Sequence, residues 1–311
     1  MSRRLTAILA VLAFAAAALA AGGVFGGGDD DPAPTVAAAS GPRDPHPKVR
    51  SNDPEMRRVL QAAEAASTAR PAAALAAEGR RLFRSTEMAK AGESCQSCHV
   101  EGGGTNAALG TILHPQAQGD FKGPRDVPSL WGIADTAPYG WDGHEPSLEA
   151  FAVGTIRNHF KTGETQPLAT TGKQAAALVA YLRTLAPPVS AFDQGTLSAA
   201  AQRGEELFQG KGGCMECHGG PFLTDTLQHA TLVPKVAATD TDPGAVRAGI
   251  PANSFDTPHL RDLRNTAPYM HNGRFATLRE VVEFYDRDSS LAPLRLTPSE
   301  IDDLVAYLES L

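Results

Sequence analysis

Four cysteines, placed as two copies of one five-residue pattern, constrain this 311-residue chain more than any other feature. They read Cys95-Gln96-Ser97-Cys98-His99 and Cys214-Met215-Glu216-Cys217-His218. Two thiols about one helical turn apart can add across the two vinyl groups of a single haem. The histidine that follows then reaches the iron. A zinc site made from two C-x-x-C pairs would space them roughly 15–20 residues apart, and here more than one hundred residues intervene. Neither zinc nor a pair of disulfides gives a reason for a histidine after both pairs. The pattern predicts two covalent c-type haems, one in each half. Cys95, Cys98, Cys214 and Cys217 attach them, and His99 and His218 are the proximal iron ligands.

The halves repeat beyond the cysteines. Gly79-Arg80-Arg81-Leu82-Phe83 precedes the first motif and Gly204-Glu205-Glu206-Leu207-Phe208 the second, both as amphipathic helices. Pro128-Ser129-Leu130, Thr136-Ala137-Pro138-Tyr139, Gly143 and Leu148 recur as Pro258-His259-Leu260, Thr266-Ala267-Pro268-Tyr269, Gly273 and Leu278, at a constant offset of 130 residues. Each half closes with Leu-Val-Ala-Tyr-Leu, at 178–182 and 304–308. Thr297-Pro298-Ser299-Glu300 is a capping box with proline at the first helical position, so the last helix begins there. Strand signals are nearly absent. The expected fold is all-α: two tandem cytochrome c-like haem domains with long loops, over 54–188 and 189–311, divided near Pro187-Pro188. The copies also diverge. Trp141 stands where the second copy has His271, and Thr155 where it has Tyr285, so the halves have taken different tasks.

The first residues read as an export signal over 1–25. Arg3 and Arg4 precede an apolar run from Leu5, and Ala18-Leu19-Ala20 fits a small-residue cleavage site. The alternative is an uncleaved membrane anchor, since the apolar run continues to Phe25. Both put the body outside the cytoplasm. Residues 26–53 are Gly, Asp, Pro, Ala and Ser with few large apolar side chains, which predicts a disordered linker in which His46 has no role. The net charge of −7 argues against a nucleic-acid partner.

Two such domains and the segment Thr266-Ala267-Pro268-Tyr269-Met270-His271-Asn272-Gly273-Arg274-Phe275-Ala276-Thr277-Leu278 resemble the bacterial di-haem cytochrome c peroxidase superfamily, which includes the MauG branch. The resemblance runs from about Ala77 to Leu311. It implies a bacterial periplasmic oxidoreductase with hydrogen peroxide as substrate at the N-terminal haem. Gly103-Gly104-Thr105 leads to His114, which resembles the switchable distal ligand of that haem; an exposed loop histidine is the alternative. Trp141-Asp142-Gly143 resembles the family motif whose tryptophan lies between the haems, and a core tryptophan is the plainer reading. Fourteen residues after His271, where the peroxidases carry methionine and the MauG branch tyrosine, stands Tyr285. It is the implied distal ligand of the second haem, with Met270 as alternative. A calcium ion is implied at Asp126, the Thr266 hydroxyl and the Pro268 carbonyl, although Asp126 could equally cap a helix.

One departure bears on activity. The family places Gln and Glu ten and twenty residues after the tryptophan for proton transfer. Here those positions are Phe151 and Lys161. His144, Glu145, His159 and Glu164 lie close and are candidate substitutes, the alternative for all four being a solvent-facing side chain with no part in the chemistry; His159 could instead ligate iron. Two functions follow. One is a peroxidase using Trp141 as relay, with electrons from a small c-type cytochrome, a cupredoxin or a protein substrate, as a monomer or a homodimer. The other is a non-catalytic di-haem electron carrier.

Overall fold

A glycine at one position of each half lets two helices touch backbone to backbone, and this contact organises both cores. The computed structural model describes residues 72–88, 92–100, 125–159, 167–230, 232–236, 254–287 and 293–311, with Arg58 and Gln61. Helix α1 is Ala72–Arg84, α2 Cys95–Cys98, α3 Leu148–Gly154 continued by a π turn Thr155–His159, and α4 Leu168–Leu182. Then come α5 Ala199–Gln209, strands β1 Gln228–Ala230 and β2 Ser254–Asp256, α6 Leu278–Arg287 and α7 Pro298–Leu308. Residues 39–311 belong to one unit, and 1–38 to another that lies outside the described residues. Also outside them are the 26–53 segment with His46, and His114, Lys161 and Glu164, together with the side chain of His159. No helix among the described residues is long and apolar enough to cross a membrane.

α1 packs on α4, and α5 on α7. A Cβ at Gly79 would lie inside the Ala177 carbonyl and 2.8 Å from the Cβ of Tyr181. A Cβ at Gly204 would meet the Asp303 carbonyl in the same way, 2.8 Å from the Cβ of Tyr307. One turn on, Phe83 meets Tyr181 edge-on at 5.3 Å, and Phe208 meets Tyr307 at 5.2 Å. Buried apolar residues gather as Leu75 to Leu185 around the first helix pair and Ala201 to Leu311 around the second. Aligned apolar faces of this kind supply most of a helix's stability in a folded protein.

The caps follow the sequence. Ser147 and Ser198 each accept a hydrogen bond from the backbone three residues on. Thr297 and Glu300 form the reciprocal capping box, with Pro298 at the first helical position. The repeat is also visible in the loops. Gly132 and Asp262 both take the left-handed conformation, and their amides donate to the carbonyls of Leu185 and Leu311. Tyr139 pairs with Glu145 as Tyr269 pairs with Phe275.

The fold is mainly α, in line with the expectation. One short antiparallel pair, β1 with β2, is added to it, with His229 opposite Phe255. Strands of three residues carry too little alternation to be read from sequence.

Candidate functional site: two cysteine-histidine turns and the turn between them

Both C-x-x-C-H motifs fold as one tight turn. In the first, Ser94 caps α2 through a capping box with Ser97. In the second, Gly213 takes a left-handed conformation and opens a single 3₁₀ turn. The His99 amide donates to the Cys95 carbonyl at 2.8 Å, and His218 to Cys214 at 2.8 Å. Each histidine therefore starts one turn beyond its first cysteine. None of the four cysteines is in a disulfide. Burial pushes Cys95 up to about 12 and Cys214 up to about 11, which holds them as neutral thiols.

The His218 ring is fixed. Its Nδ1 lies 2.9 Å from the Leu223 carbonyl oxygen and donates to it, and the Pro258 carbonyl also faces the ring. Burial lowers its pKa and favours the neutral ring. Leu223 holds this carbonyl in place with a left-handed backbone (φ 57°). Tyr285 on α6 is partly buried beside the same motif. Burial first, then the sulfurs of Cys217 and Cys214, push its phenol up to about 12. Two thiols one turn apart, an imidazole oriented by backbone carbonyls and a phenol on the side of both sulfurs fit a haem. Met270, the alternative ligand, sits at φ 71° in the turn between Tyr269 and His271.

Among the described residues Cys217, Asp225 and His229 offer ligand atoms within 4.8 Å of one another. His229 Nε2 and an Asp225 oxygen are 2.7 Å apart. Thioether formation at Cys217 would take up the sulfur and leave an Asp–His pair.

Trp141 joins the halves. Its indole N–H donates to the Asp126 carbonyl at 2.9 Å, and its ring meets His271 edge-on at 6.5 Å. The Asp126 amide donates to the His271 carbonyl, and the Asp256 amide to that of Trp141. His271 in turn stacks on Phe255 of β2 at 3.7 Å. The Gln228 amide donates to the Asp142 carbonyl. The residue that stands for His271 in the first copy thus lies against His271 itself.

Next to it is a buried polar turn. Asp142 is 0% exposed and His144 6%, and His144 Nδ1 pairs with an Asp142 carboxylate oxygen. Glu145 is 1% exposed. Its Oε1 accepts from the Ser147 amide at 3.0 Å, and its Oε2 has no hydrogen-bond partner among the described residues. Burial pushes Glu145 up to about 7. Phe151 packs its ring 5.9 Å from His144 and 6.0 Å from Tyr139. His144, Glu145, Trp141 and Phe151 are therefore gathered in one place. Asp142 and Phe255 are the partners that sequence reasoning missed. Asp142 was within reach, since it lies inside the Trp-Asp-Gly motif, whereas no local signal marks Phe255.

Asp126 is 9% exposed, and burial pushes its carboxyl up to about 8. Its charge also influences Tyr269, so it lies toward the Thr266–Tyr269 turn. The Thr266 hydroxyl donates to the Leu263 carbonyl at 3.1 Å.

Comparison of the sequence with known proteins points to one family. The model described as di-haem cytochrome c peroxidase matches residues 73–171. A protein named cytochrome-c peroxidase IdrP2, from Pseudomonas sp. (strain SCT), is 30% identical over 71% of this chain and 76% of its own length. The methylamine utilization protein MauG of Methylorubrum extorquens is 29% identical over 75% of this chain and 76% of its own. In fold, the diheme peroxidase BthA from Burkholderia thailandensis superposes with a TM-score of 0.60 at 24% identity, over 78% of this chain and 86% of its own.

Proposed function

This chain belongs to the di-haem cytochrome c peroxidase family and is a peroxidase-type oxidoreductase, and we propose that it reduces hydrogen peroxide with two covalent c-type haems, one on each cysteine-histidine turn. The arrangement is two tandem haem domains meeting at Trp141. Electrons come from a small c-type cytochrome or a cupredoxin, or from a protein substrate, in the periplasm of a bacterium.

Haem, when bound, supplies the iron at which peroxide is reduced and the conjugated ring through which electrons pass. The chain supplies the rest. Cys95, Cys98, Cys214 and Cys217 anchor the rings covalently. His99 and His218 hold the proximal side, His218 with its ring oriented by the Leu223 carbonyl. By the resemblance, His114 and Tyr285 would hold the iron of the first and second haem with them. Asp126, with Thr266 and Pro268, offers hard oxygens to calcium. A cation there would offset the cost of burying the Asp126 carboxylate.

The observation that carries this reading is Trp141, whose oxidisable indole is hydrogen-bonded to the first half and packed on His271 of the second. Replacing it tests the reading. Trp141→Phe keeps an aromatic ring, although a smaller one, and loses the N–H bond, itself worth about 1 kcal/mol in stability. Both haems should remain bound. Peroxide-driven oxidation at the second site should slow about tenfold or more, or about 1.4 kcal/mol in barrier. A variant in which the second site responds to peroxide as fast as in the parent protein would remove Trp141 from the route.

A further inference from the structure

In the second half, the position that matches Glu145 is Phe275, an apolar ring packed 5.3 Å from Phe284. The same bridge to a tyrosine forms in both halves. Folding therefore needs no carboxyl at this place, and an aromatic ring satisfies it. Glu145 instead buries a carboxyl with one oxygen that nothing in the described structure donates to. Leaving a buried acceptor unsatisfied costs about 1–3 kcal/mol, and such groups in native proteins call for a chemical reason.

We propose that Glu145 is the proton-transfer residue of the peroxide site, standing in for the polar side chain that position 151 lacks, with the Asp142–His144 pair as its positioning partner. The inference rests on the peroxidase reading above. Its geometry is local. Hydrogen bonds in both directions, from Tyr139 N to Glu145 O at 2.7 Å and from Glu145 N to Tyr139 O at 3.3 Å, fix the Glu145 backbone. The Ser147 amide fixes Oε1, so the carboxyl has one orientation and Oε2 is its reactive oxygen. Phe151 closes the same space with its ring against both His144 and Tyr139. The resemblance puts position 151 at the peroxide, and the rings against Phe151 include the Glu145 pairing partner, Tyr139, and the Glu145 chain neighbour, His144. In the second half these positions are Asn272, Arg274 and Phe275, which form no such set.

The step balances. The Glu145 carboxylate takes the proton from one peroxide oxygen and passes it to the other. The O–O bond breaks, and the doubly protonated oxygen leaves as water with the bonding pair. The remaining oxygen takes two electrons, one from each of two reduced small cytochromes, and two protons from solvent to give a second water. A base must be ionised to act, and burial sets Glu145 near neutrality. Peroxide reactivity should therefore rise with pH through about 7 and be lost below it. The titratable groups around Glu145 are Tyr139 across the bridge, Asp142 and His144 in its own turn, Glu149 through Ser147, and Asp256 of β2 beside Gly143.

The experiment is stopped-flow peroxide reduction by the haem-loaded protein across neutral pH, with infrared titration of its carboxyl groups. Glu145→Gln should slow the reaction about 10²–10⁴-fold and abolish the pH step, with haem content and optical spectrum unchanged. Glu145→Asp should restore part of the rate, and Glu206→Gln, an exposed change in α5, none of the effect. The protonated-carboxyl band that titrates near neutrality should vanish in Glu145→Gln. If that variant fails to take up haem, the aspartate variant and the infrared titration of the unaltered protein decide. A full rate with the pH step intact in Glu145→Gln, or no carboxyl titrating near neutrality in the parent, overturns the inference and leaves the peroxidase reading standing. A parent protein that consumes no peroxide at any pH overturns both.

Discussion

Alanine at Gly204 should destabilise the second half of the protein by about 3 kcal/mol or more, and alanine at Gly79 should do the same to the first. The added methyl would press on the carbonyl of Asp303 or Ala177, which is backbone and cannot rotate away. Relief requires the helix pair to separate, and that pair carries the core of its half. Whole-domain stability is only about 5–15 kcal/mol, so the loss is a large share. The sign is diagnostic. In an uncrowded helix the same change would stabilise by up to about 1 kcal/mol, because alanine is the better helix former. Urea unfolding of the haem-loaded protein, with haem absorbance and far-ultraviolet dichroism as probes, reads the difference. A neutral or stabilising result at both sites would mean that the helices do not approach so closely.

Replacing Tyr285 should change the second haem and leave the first alone. The phenol lies near the sulfurs of Cys214 and Cys217, both of which raise its pKa beyond the effect of burial. It is thus placed beside the second motif. If Tyr285 ligates iron, Tyr285→Phe removes an anionic oxygen that favours the oxidised metal. The potential of the second site should then rise by on the order of 0.1 V or more, within the roughly 0.8 V that axial ligands span. Tyr285→Met should raise it further, since thioether ligation favours the reduced state. Redox titration followed optically separates the two haems. An unchanged spectrum and potential in Tyr285→Phe would make Tyr285 a packing residue, leaving Met270 as the remaining alternative.

The parts legible in the sequence share a property: they are local or they repeat. The cysteine-histidine turns are five residues long. The constant offset of 130 exposes Thr136–Tyr139 and Thr266–Tyr269 as one turn used twice, and the capping box at Thr297 needs only four residues. What escaped is long-range. Trp141 bonds to Asp126, packs on His271 and accepts from Asp256, and no periodicity records those pairings. The β1–β2 pair links stretches too short to alternate. Glu145 is instructive, because the sequence placed it among four equivalent candidates. Burial of the whole side chain, with a phenylalanine at the matching place in the other half, is what singles it out.

Two haems held unequally by one duplicated scaffold should share the oxidising power of peroxide. Electron paramagnetic resonance of the diferric protein, before and after one equivalent of hydrogen peroxide, reads this sharing. Two distinguishable ferric signals should fall together, with the response altered in Tyr285→Phe. Two low-spin signals that peroxide leaves untouched, both in the diferric protein and after one-electron reduction has opened the His114 side, would contradict it and identify the protein as an electron carrier.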